Sequence, residues 1–487
     1  MVPETPSIVG RRAPDEVRTR VVATLGPACD NEGTIRELID AGVDVFRLNL
    51  THGELDWHAD VARLVRRIEA ESGFAIGLLA DLPGPKIRLG ELLESPLYCQ
   101  VGDVFYIVSG PPLADSRQVY LTMPGLVSML QVGDRVLLAD GTVAWRVVAV
   151  RSGEVECVVE KPGEIRSRSG VHVPGVVRGL SALTDEDLRI LDWLRQVDVD
   201  FVGLSYASNA SDVQRLREEL SRRGIVAHVV TKIERKSALD NLDAILEVSD
   251  AVMIARGDLG VEVDIARMAI IQKEIIRLAK RYRRPVITAT QMLESMKNSP
   301  LPTRAEATDV ANAVLDGTDA LMLSGETAVG KHPPLVVETM CRIAQQAELL
   351  LARDEAYRRG VQPTTYATPL ESLARAAADL ARDLGATLLT VTTRTGRSAY
   401  TLAKERCFVP AVALTDDERT WRALTLCWGT TPVLVPEFRR SYDPIRYLEE
   451  YAQIAGVPLR PGGRVVVLGT TLWTSTRHDM VVVHEWS

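Results

Sequence analysis

From Thr19 to about Ala352 the chain alternates short apolar runs with longer amphipathic stretches. The apolar runs are Arg20–Leu25, Val43–Leu48, Ala75–Asp81, Asp200–Ser205, Ile225–Lys232, Asp250–Ala255, Pro285–Thr290 and Asp319–Leu323. Their near-continuous Val, Ile, Leu and Ala content is that of parallel strands covered on both faces. Between them, Thr34–Ala41, His58–Ser72, Asp185–Val197, Asp212–Arg223, Ile265–Arg283 and Arg304–Leu315 carry apolar residues at helical spacing. Eight strands with intervening helices predict an α/β fold, the (β/α)8 TIM barrel.

Two tracts break this rhythm. Between the third and fourth strands, VGDVFYIVSG, VGDRVLLADGTVAWRVVAV and GEVECVVE are short alternating runs punctuated by Gly-Asp turns. They predict a small β-barrel domain inserted on a barrel loop. After about Arg353 the α/β pattern restarts, with a helix over Glu371–Leu384 and strands in ATLLTVTT, PAVALT, TPVLV, RVVVLG and MVVVHE. The expected organisation is a lead-in at 1–18, a barrel at 19–88 and 170–352, an inserted lid at 89–169 and a C-terminal α/β domain at 353–487.

Length agrees with several domains, since 487 residues exceed what one core usually serves. The net charge of −8 argues against a nucleic-acid partner, which calls for a strong basic field, but not against small anions in a local cationic pocket. Six scattered cysteines without a CxxC pair read as core thiols, and the seven histidines form no HExxH. No apolar run is long enough to span a bilayer, and the polar start MVPETPSIVGRRAPDE lacks a signal-peptide core. A cytoplasmic protein without a membrane partner is expected.

The candidate chemistry gathers where the apolar runs stop: Thr24; Arg47 and Asn49; Asp81; Ser205; Lys232 and Glu234; Arg256 and Asp258; Thr290 and Gln291; Ser324 and Glu326. In a barrel these ends share one mouth, the face where active sites form. Polar residues also mark ordinary strand-to-loop transitions, which accounts for Thr290 and Ser324 but poorly for Lys232, a lysine ending a buried run. Glu234 and Asp258 follow adjacent strands with no His or Cys nearby, a set suited to Mg²⁺ or Mn²⁺. Lys232 and Arg256 are expected to flank that ion and bind an anion. The RGDLG segment is expected to be a turn whose glycines let backbone amides approach the anion. Ordinary ion pairing is the alternative. GETAVGKH (325–332) nearly matches a P-loop, but His332 stands where a Ser or Thr must meet Mg²⁺, so the motif is rejected. Thr303 and Glu306 read as a capping box. The Arg-rich stretches 215–223 and 280–284 read as solvated helix faces.

Several stretches, in order, resemble the pyruvate kinase family: ATLGPA (23–28), DVFRLNLTHG (44–53), DLPGPKIRLG (81–90), GVHVPG (170–175), TKIE (231–234), ARGDLGVE (255–262), ITATQMLESM (287–296), PTRAEATDVANAVLDGTDALMLSGETAVGKHP (302–333) and TRTGRSA (393–399). The resemblance covers nearly the whole chain. It implies an Mg²⁺-dependent transfer of a phosphoryl group from phosphoenolpyruvate to ADP, yielding pyruvate and ATP. It assigns catalysis to Lys232, Arg47, Thr290 and Ser324, and substrate binding to Arg47, Lys232, Ala255, Arg256, Gly257, Asp258 and Thr290. It assigns the metal to Glu234 and Asp258, and the nucleotide side to Thr24, Pro27, Asn49, His52, Arg88 and Asp140. It also implies a homotetramer.

Many members of that family need K⁺ as well. In those, an acid stands where Lys86 stands here, and a Thr ligand stands where Leu82 stands here. Asn49, Thr51 and Asp81 match the remaining ligand positions. The resemblance is to the K⁺-independent branch, with the Lys86 ammonium in place of the ion. In the final domain the loop Thr393, Arg394, Thr395, Gly396, Arg397 and Ser398 is similar to the family's site for phosphorylated allosteric effectors, although a simple strand-to-helix cap is the alternative. The chain departs from the common pattern at NLTH, Pro83, Tyr206 (where Phe is usual) and Ala139-Asp140. A metal-dependent aldolase or lyase would not need the β lid, and a catalytically dead relative would have lost Lys232, Glu234 or Asp258.

Overall fold

The computed structural model describes residues 17–111, 115–139, 141–151, 153–175, 181–362, 365, 367–438, 443–470 and 478–486. Eight parallel strands close into a barrel: β1 (Arg20–Thr24), β2 (Val45–Asn49), β3 (Gly77–Asp81), β4 (Phe201–Leu204), β5 (His228–Ile233), β6 (Ala251–Ala255), β7 (Val286–Ala289) and β8 (Ala320–Leu323). Neighbours in sequence are neighbours in the barrel, and β8 pairs with β1. Strand side chains facing outward join the helices in one large core, and those facing inward form a second. Thr303 and Glu306 form the expected capping box at the start of helix Arg304–Asp316. The stretch expected as one helix over Ile265–Arg283 is a 3₁₀ turn, Ile265–Arg267, followed by the helix Met268–Arg281.

The other mouth carries a feature that the strand pattern did not announce. An aspartate immediately precedes each even strand: Asp44, Asp200, Asp250 and Asp319. Each accepts a backbone N–H from the neighbouring odd strand, those of Val21, Leu78, Val229 and Val286, at 2.7 to 2.9 Å. Each carboxylate also meets a cation: Arg20 at 3.0 Å, Arg66 at 2.6 Å and Arg217 at 2.7 Å, with Lys404 at 2.5 Å and Arg406 at 3.0 Å sharing Asp319. Pairing a buried donor and a buried charge in one contact avoids the cost of leaving either unmatched. The fourth member ties β8 to the C-terminal tract. Arg20 does the same for β1, donating to the carbonyls of Cys427 and Thr430.

The excursion after β3 leaves and returns side by side, through an antiparallel bridge between Arg88 and Gly170. It holds a six-stranded sheet and a two-stranded ribbon around its own core, where Trp145 is stacked on Phe105 at 4.7 Å. Hairpin pairing holds for Arg135–Leu138 with Val143–Arg151 and for Val143–Arg151 with Glu154–Lys161, but Val104–Val108 and Gln118–Tyr120 pair in parallel. The C-terminal sheet has five strands, ordered Thr430–Leu434, Ala411–Thr415, Leu388–Thr392, Arg464–Gly469 and Met480–Glu485, the last antiparallel. The six cysteines are free thiols. Among the described residues no helix is long and apolar enough to cross a membrane.

Candidate active site at the barrel mouth

Side chains two residues apart on a strand face the same way, so Lys232 and Glu234 emerge together at the end of β5. The Lys232 ammonium lies 2.9 Å from Glu234 Oε1, 3.4 Å from Asp81 Oδ1 and 2.8 Å from Ser205 Oγ. Ser205 in turn donates to the Leu82 carbonyl at 2.6 Å, which fixes the Leu82–Pro85 turn against β4. Gly203 makes room for this: a Cβ there would sit 2.8 Å from Asp81 Oδ1. Arg47, from β2, binds the other Asp81 oxygen at 2.7 Å and donates to Thr24 Oγ1 at 3.1 Å.

The charges set one another's protonation. Burial opposes the charged Lys232, but Asp81 and Glu234 outweigh it and raise the ammonium's pKa above its ordinary value. Burial also opposes the Asp81 carboxylate, and Lys232 with Arg47 reverses it, so that pKa falls. Glu234 goes the other way: burial raises its pKa, Lys232 works against that, and Asp258 adds repulsion. Lys232 is therefore a lasting positive charge, whereas Glu234 and Asp258 repel each other in a way that a divalent cation relieves.

Tyr206 touches both of those carboxylates. Its backbone N–H donates to Glu234 Oε2 at 2.7 Å, and its hydroxyl donates to Asp258 Oδ1 at 3.4 Å. It adopts φ +56°, an uncommon left-handed conformation for a bulky residue, and Arg235 stacks on its ring at 5.1 Å. Among the described residues no cluster of three or more His, Cys, Asp or Glu forms a metal cage. Two carboxylates alone fit a hard divalent ion that keeps positions open for water and substrate oxygens.

Two expectations for Arg256 and its segment are corrected. Residues Arg256–Glu262 are a helix rather than a glycine-dependent turn, and neither Gly257 nor Gly260 has a positive φ. Backbone amides are therefore presented by the first turn of a helix. The Arg256 side chain does not flank an anion with Lys232. It pairs with Asp309 at 2.7 Å and donates to the Thr290 carbonyl at 2.8 Å and the Gln291 carbonyl at 3.3 Å. Thr290 and Gln291 are both left-handed, at φ +66° and +55°, and Arg256 holds that strained pair of peptides. Asp309 lies 53 residues away on another helix, so no local signal marked it.

The Thr290 hydroxyl accepts from the Gly257 N–H at 2.8 Å and donates to the Ala289 carbonyl at 2.7 Å. Ser324 Oγ has no protein partner among the described residues, while its N–H donates to Glu326 at 2.7 Å. Lys86 keeps solvent access but is crowded by the charged groups of the mouth, Asp258, Arg88 and Lys232 among them, and makes no ion pair among the described residues. Desolvation lowers its pKa, Asp258 opposes that, and Arg88 and Lys232 add to it. It is thus not joined to Asp81, whose carboxylate is taken by Arg47 and Lys232.

On the proposed nucleotide side Thr24 is buried, with its hydroxyl donating to the Leu323 carbonyl at 2.9 Å, and Pro27 is exposed. Asn49 Oδ1 accepts from the Thr51 N–H at 3.4 Å. His52 is kept below its ordinary pKa by burial, with Arg88, Lys86 and Arg47 adding to the effect. Arg88 sits at the root of the insert and donates to the Arg168 carbonyl at 3.0 Å. Asp140 lies outside the described residues. The insert reaches the helix after β6 through His172, 2.7 Å from Glu262.

A closed parallel barrel with ionised groups converging at its C-terminal mouth defines a TIM-barrel enzyme. The pyruvate kinase barrel-domain family matches residues 16–337, and the pyruvate kinase alpha/beta-domain family matches 371–484. The chain is 38% identical to the pyruvate kinase of Thermotoga maritima over 92% of its own length and 95% of that protein's. It is 39% identical to that of Agrobacterium vitis over 93% and 95%. A crystal structure of a pyruvate kinase from Cryptosporidium parvum superposes with a TM-score of 0.88 at 31% identity, covering 97% of both chains. The chain belongs to the pyruvate kinase family.

Proposed function

We propose that this chain transfers the phosphoryl group of phosphoenolpyruvate to ADP, giving pyruvate and ATP. The observation that carries the reading is the Lys232 ammonium held between Glu234 and Asp81 at the barrel mouth. Fixed positive charge is the main requirement in phosphoryl transfer, since charge must move from the phosphoryl group to the leaving oxygen. Lys232 supplies it beside the forming enolate oxygen, and Arg47 holds the phosphoryl group. Glu234 and Asp258 would hold Mg²⁺ or Mn²⁺, which supplies charge neutralisation at the phosphoryl and carboxylate oxygens. Backbone amides in the first turn of the helix after Ala255 seat the carboxylate, with Thr290 beside them holding the Gly257 N–H.

The enolate then takes a proton at carbon. The Thr290 hydroxyl is committed at both ends, whereas Ser324 Oγ has no protein partner among the described residues, which favours Ser324 for a relay through water. Thr24, Pro27, Asn49, His52, Arg88 and Asp140 receive the nucleotide, and the cations around His52 suit its phosphates. Closure of the 89–169 lid keeps water from taking the phosphoryl group. A division into lead-in, barrel, insert and C-terminal domain is supported by separate cores in the last three, but the insert's core extends beyond 89–169 to Ile87, Val171 and Val173, and the barrel's beyond 352 to Val361.

Independence from K⁺ is supported by Lys86, an ammonium with no ion pair among the described residues, and by the commitment of Asp81 to two cations. Allosteric control is supported by the loop 393–398, which lines a cavity of about 910 Å³ together with Thr392, whose buried hydroxyl lacks a partner. Fructose bisphosphate, glucose 6-phosphate, ribose 5-phosphate and AMP are the effectors to try; no shift in substrate saturation with any of them removes this part. A cytoplasmic homotetramer rests on the family alone. The catalytic reading is tested by coupling to lactate dehydrogenase: NADH oxidation should require phosphoenolpyruvate, ADP and a divalent ion together. No turnover with all three present overturns it.

A further inference from the structure

Arg235 follows the candidate metal ligand Glu234 directly and opens the short helix Lys236–Asp240. Its residue is only 4% exposed, yet it makes no ion pair among the described residues. One guanidinium nitrogen donates to Ser208 Oγ at 3.2 Å. Burial lowers its pKa, and Glu234, Glu262 and Asp212 oppose that from beyond ion-pair distance. A buried charge without a paired acid is costly. What it gains instead is the face of Tyr206, whose ring centre lies 5.1 Å away, where a desolvated cation–π contact is at its strongest.

That ring is under constraint from a second side chain position. A Cβ on Gly84 would come within 3.0 Å of Tyr206 Cδ2 and 2.9 Å of Ser205 Cβ, so the Leu82–Pro85 turn can press on the tyrosine only because it carries a glycine there. At φ +56° a bulky residue is strained and stays put only while its surroundings over-determine it. Held there, Tyr206 gives its N–H to Glu234 Oε2 and its hydroxyl to Asp258 Oδ1. The other Glu234 oxygen is taken by Lys232. Tyr206 is thus the group that sets the remaining Glu234 oxygen relative to Asp258.

We propose that Arg235 is a positioning residue for the divalent-metal site: its guanidinium holds the Tyr206 ring, and through it the spacing of Glu234 and Asp258. The inference rests on the reading that those two carboxylates bind the ion. Electrostatics and positioning predict opposite signs for its removal. A cation beside a cation site repels the metal, so deleting a purely electrostatic Arg235 would tighten binding. Deleting a clamp on Tyr206 loosens it.

Calorimetric titration of the full chain with Mn²⁺, without substrates, reads that sign. The parent should bind saturably, and Glu234→Gln should remove the binding. Arg235→Gln should weaken it about tenfold. Arg235→Lys, which keeps the charge but loses the planar stack, should fall between the two. In a Tyr206→Leu background, Arg235→Gln should change affinity less than about twofold, because the two residues act as one unit. Unchanged or tighter binding in Arg235→Gln overturns the proposal, as do equal losses in both backgrounds. Should thermal denaturation show Arg235→Gln unfolded, Arg235→Lys decides: reduced affinity sustains the proposal and parent-like affinity overturns it. Absence of Mn²⁺ binding by the parent overturns the metal reading itself, and this inference with it, which keeps the two failures distinct.

Discussion

Lys232 and Glu234 leave the same strand two residues apart and meet at 2.9 Å, so one short segment carries both a permanent cation and a candidate metal ligand. Replacing the ammonium separates the two roles. Lys232→Met should lower kcat by about a thousandfold, the scale for losing a preorganised charge at a transition state. Mn²⁺ binding, followed by calorimetry, should persist, because the carboxylate pair is untouched. The raised Lys232 pKa further implies that no break in the pH–rate profile below pH ~9 belongs to this group.

Lys86 offers a test in the opposite direction, a gain of dependence. In Tris or tetramethylammonium buffer the enzyme should turn over without added KCl. Lys86→Glu should require K⁺, because it places a negative charge where the cleft now holds an ammonium. Strong stimulation of the unaltered enzyme by KCl would contradict this role for Lys86.

Tyr206→Phe removes only the hydroxyl that touches Asp258; the backbone donation to Glu234 remains. The loss of one hydrogen bond to a charged group should weaken Mn²⁺ affinity about fivefold. With saturating metal, kcat should stay within about a factor of two. Equal losses in kcat at all metal concentrations would mean that the hydroxyl acts on the reacting groups instead.

Asp319 predicts both stability and its pH dependence. Burial alone would raise its pKa, but Lys404 and Arg406 hold it below the usual carboxylate range. A depressed acid stabilises the fold fully above the unfolded-state value and loses that contribution as pH falls through the folded value. Asp319→Ala should therefore cost about 3–5 kcal/mol at neutral pH, leaving two buried cations and the Val286 N–H unmatched. Thermal denaturation at pH 7 and near pH ~3 should show a gap between parent and variant that narrows in acid.

The barrel was legible because each strand is a near-continuous apolar run and each strand end changes abruptly to polar residues; Lys232, Glu234, Arg47 and Asp81 were all visible at such ends. Arg256 shows the limit. Its place after β6 was right, but the direction of a long side chain depends on a partner 53 residues away. The RGDLG stretch misled because glycine permits unusual dihedrals without requiring them, and here helical hydrogen bonding takes precedence. The recurring aspartate before the even strands was written in the chain, but its meaning appears only when the neighbouring strand's N–H is seen.

Hydrophobic periodicity by itself determined the barrel and the place of the insertion, the strand ends the residue types at the mouth, and the ordered short motifs the family resemblance, because all of these are local in the chain. Only the tertiary structure decided which charges meet: Asp81 with Arg47 and Lys232, Arg256 with Asp309, and Asp319 with Lys404 and Arg406. Such pairings join residues far apart in the chain, and Coulomb interactions depend on distance in space and on burial, neither of which a linear text contains.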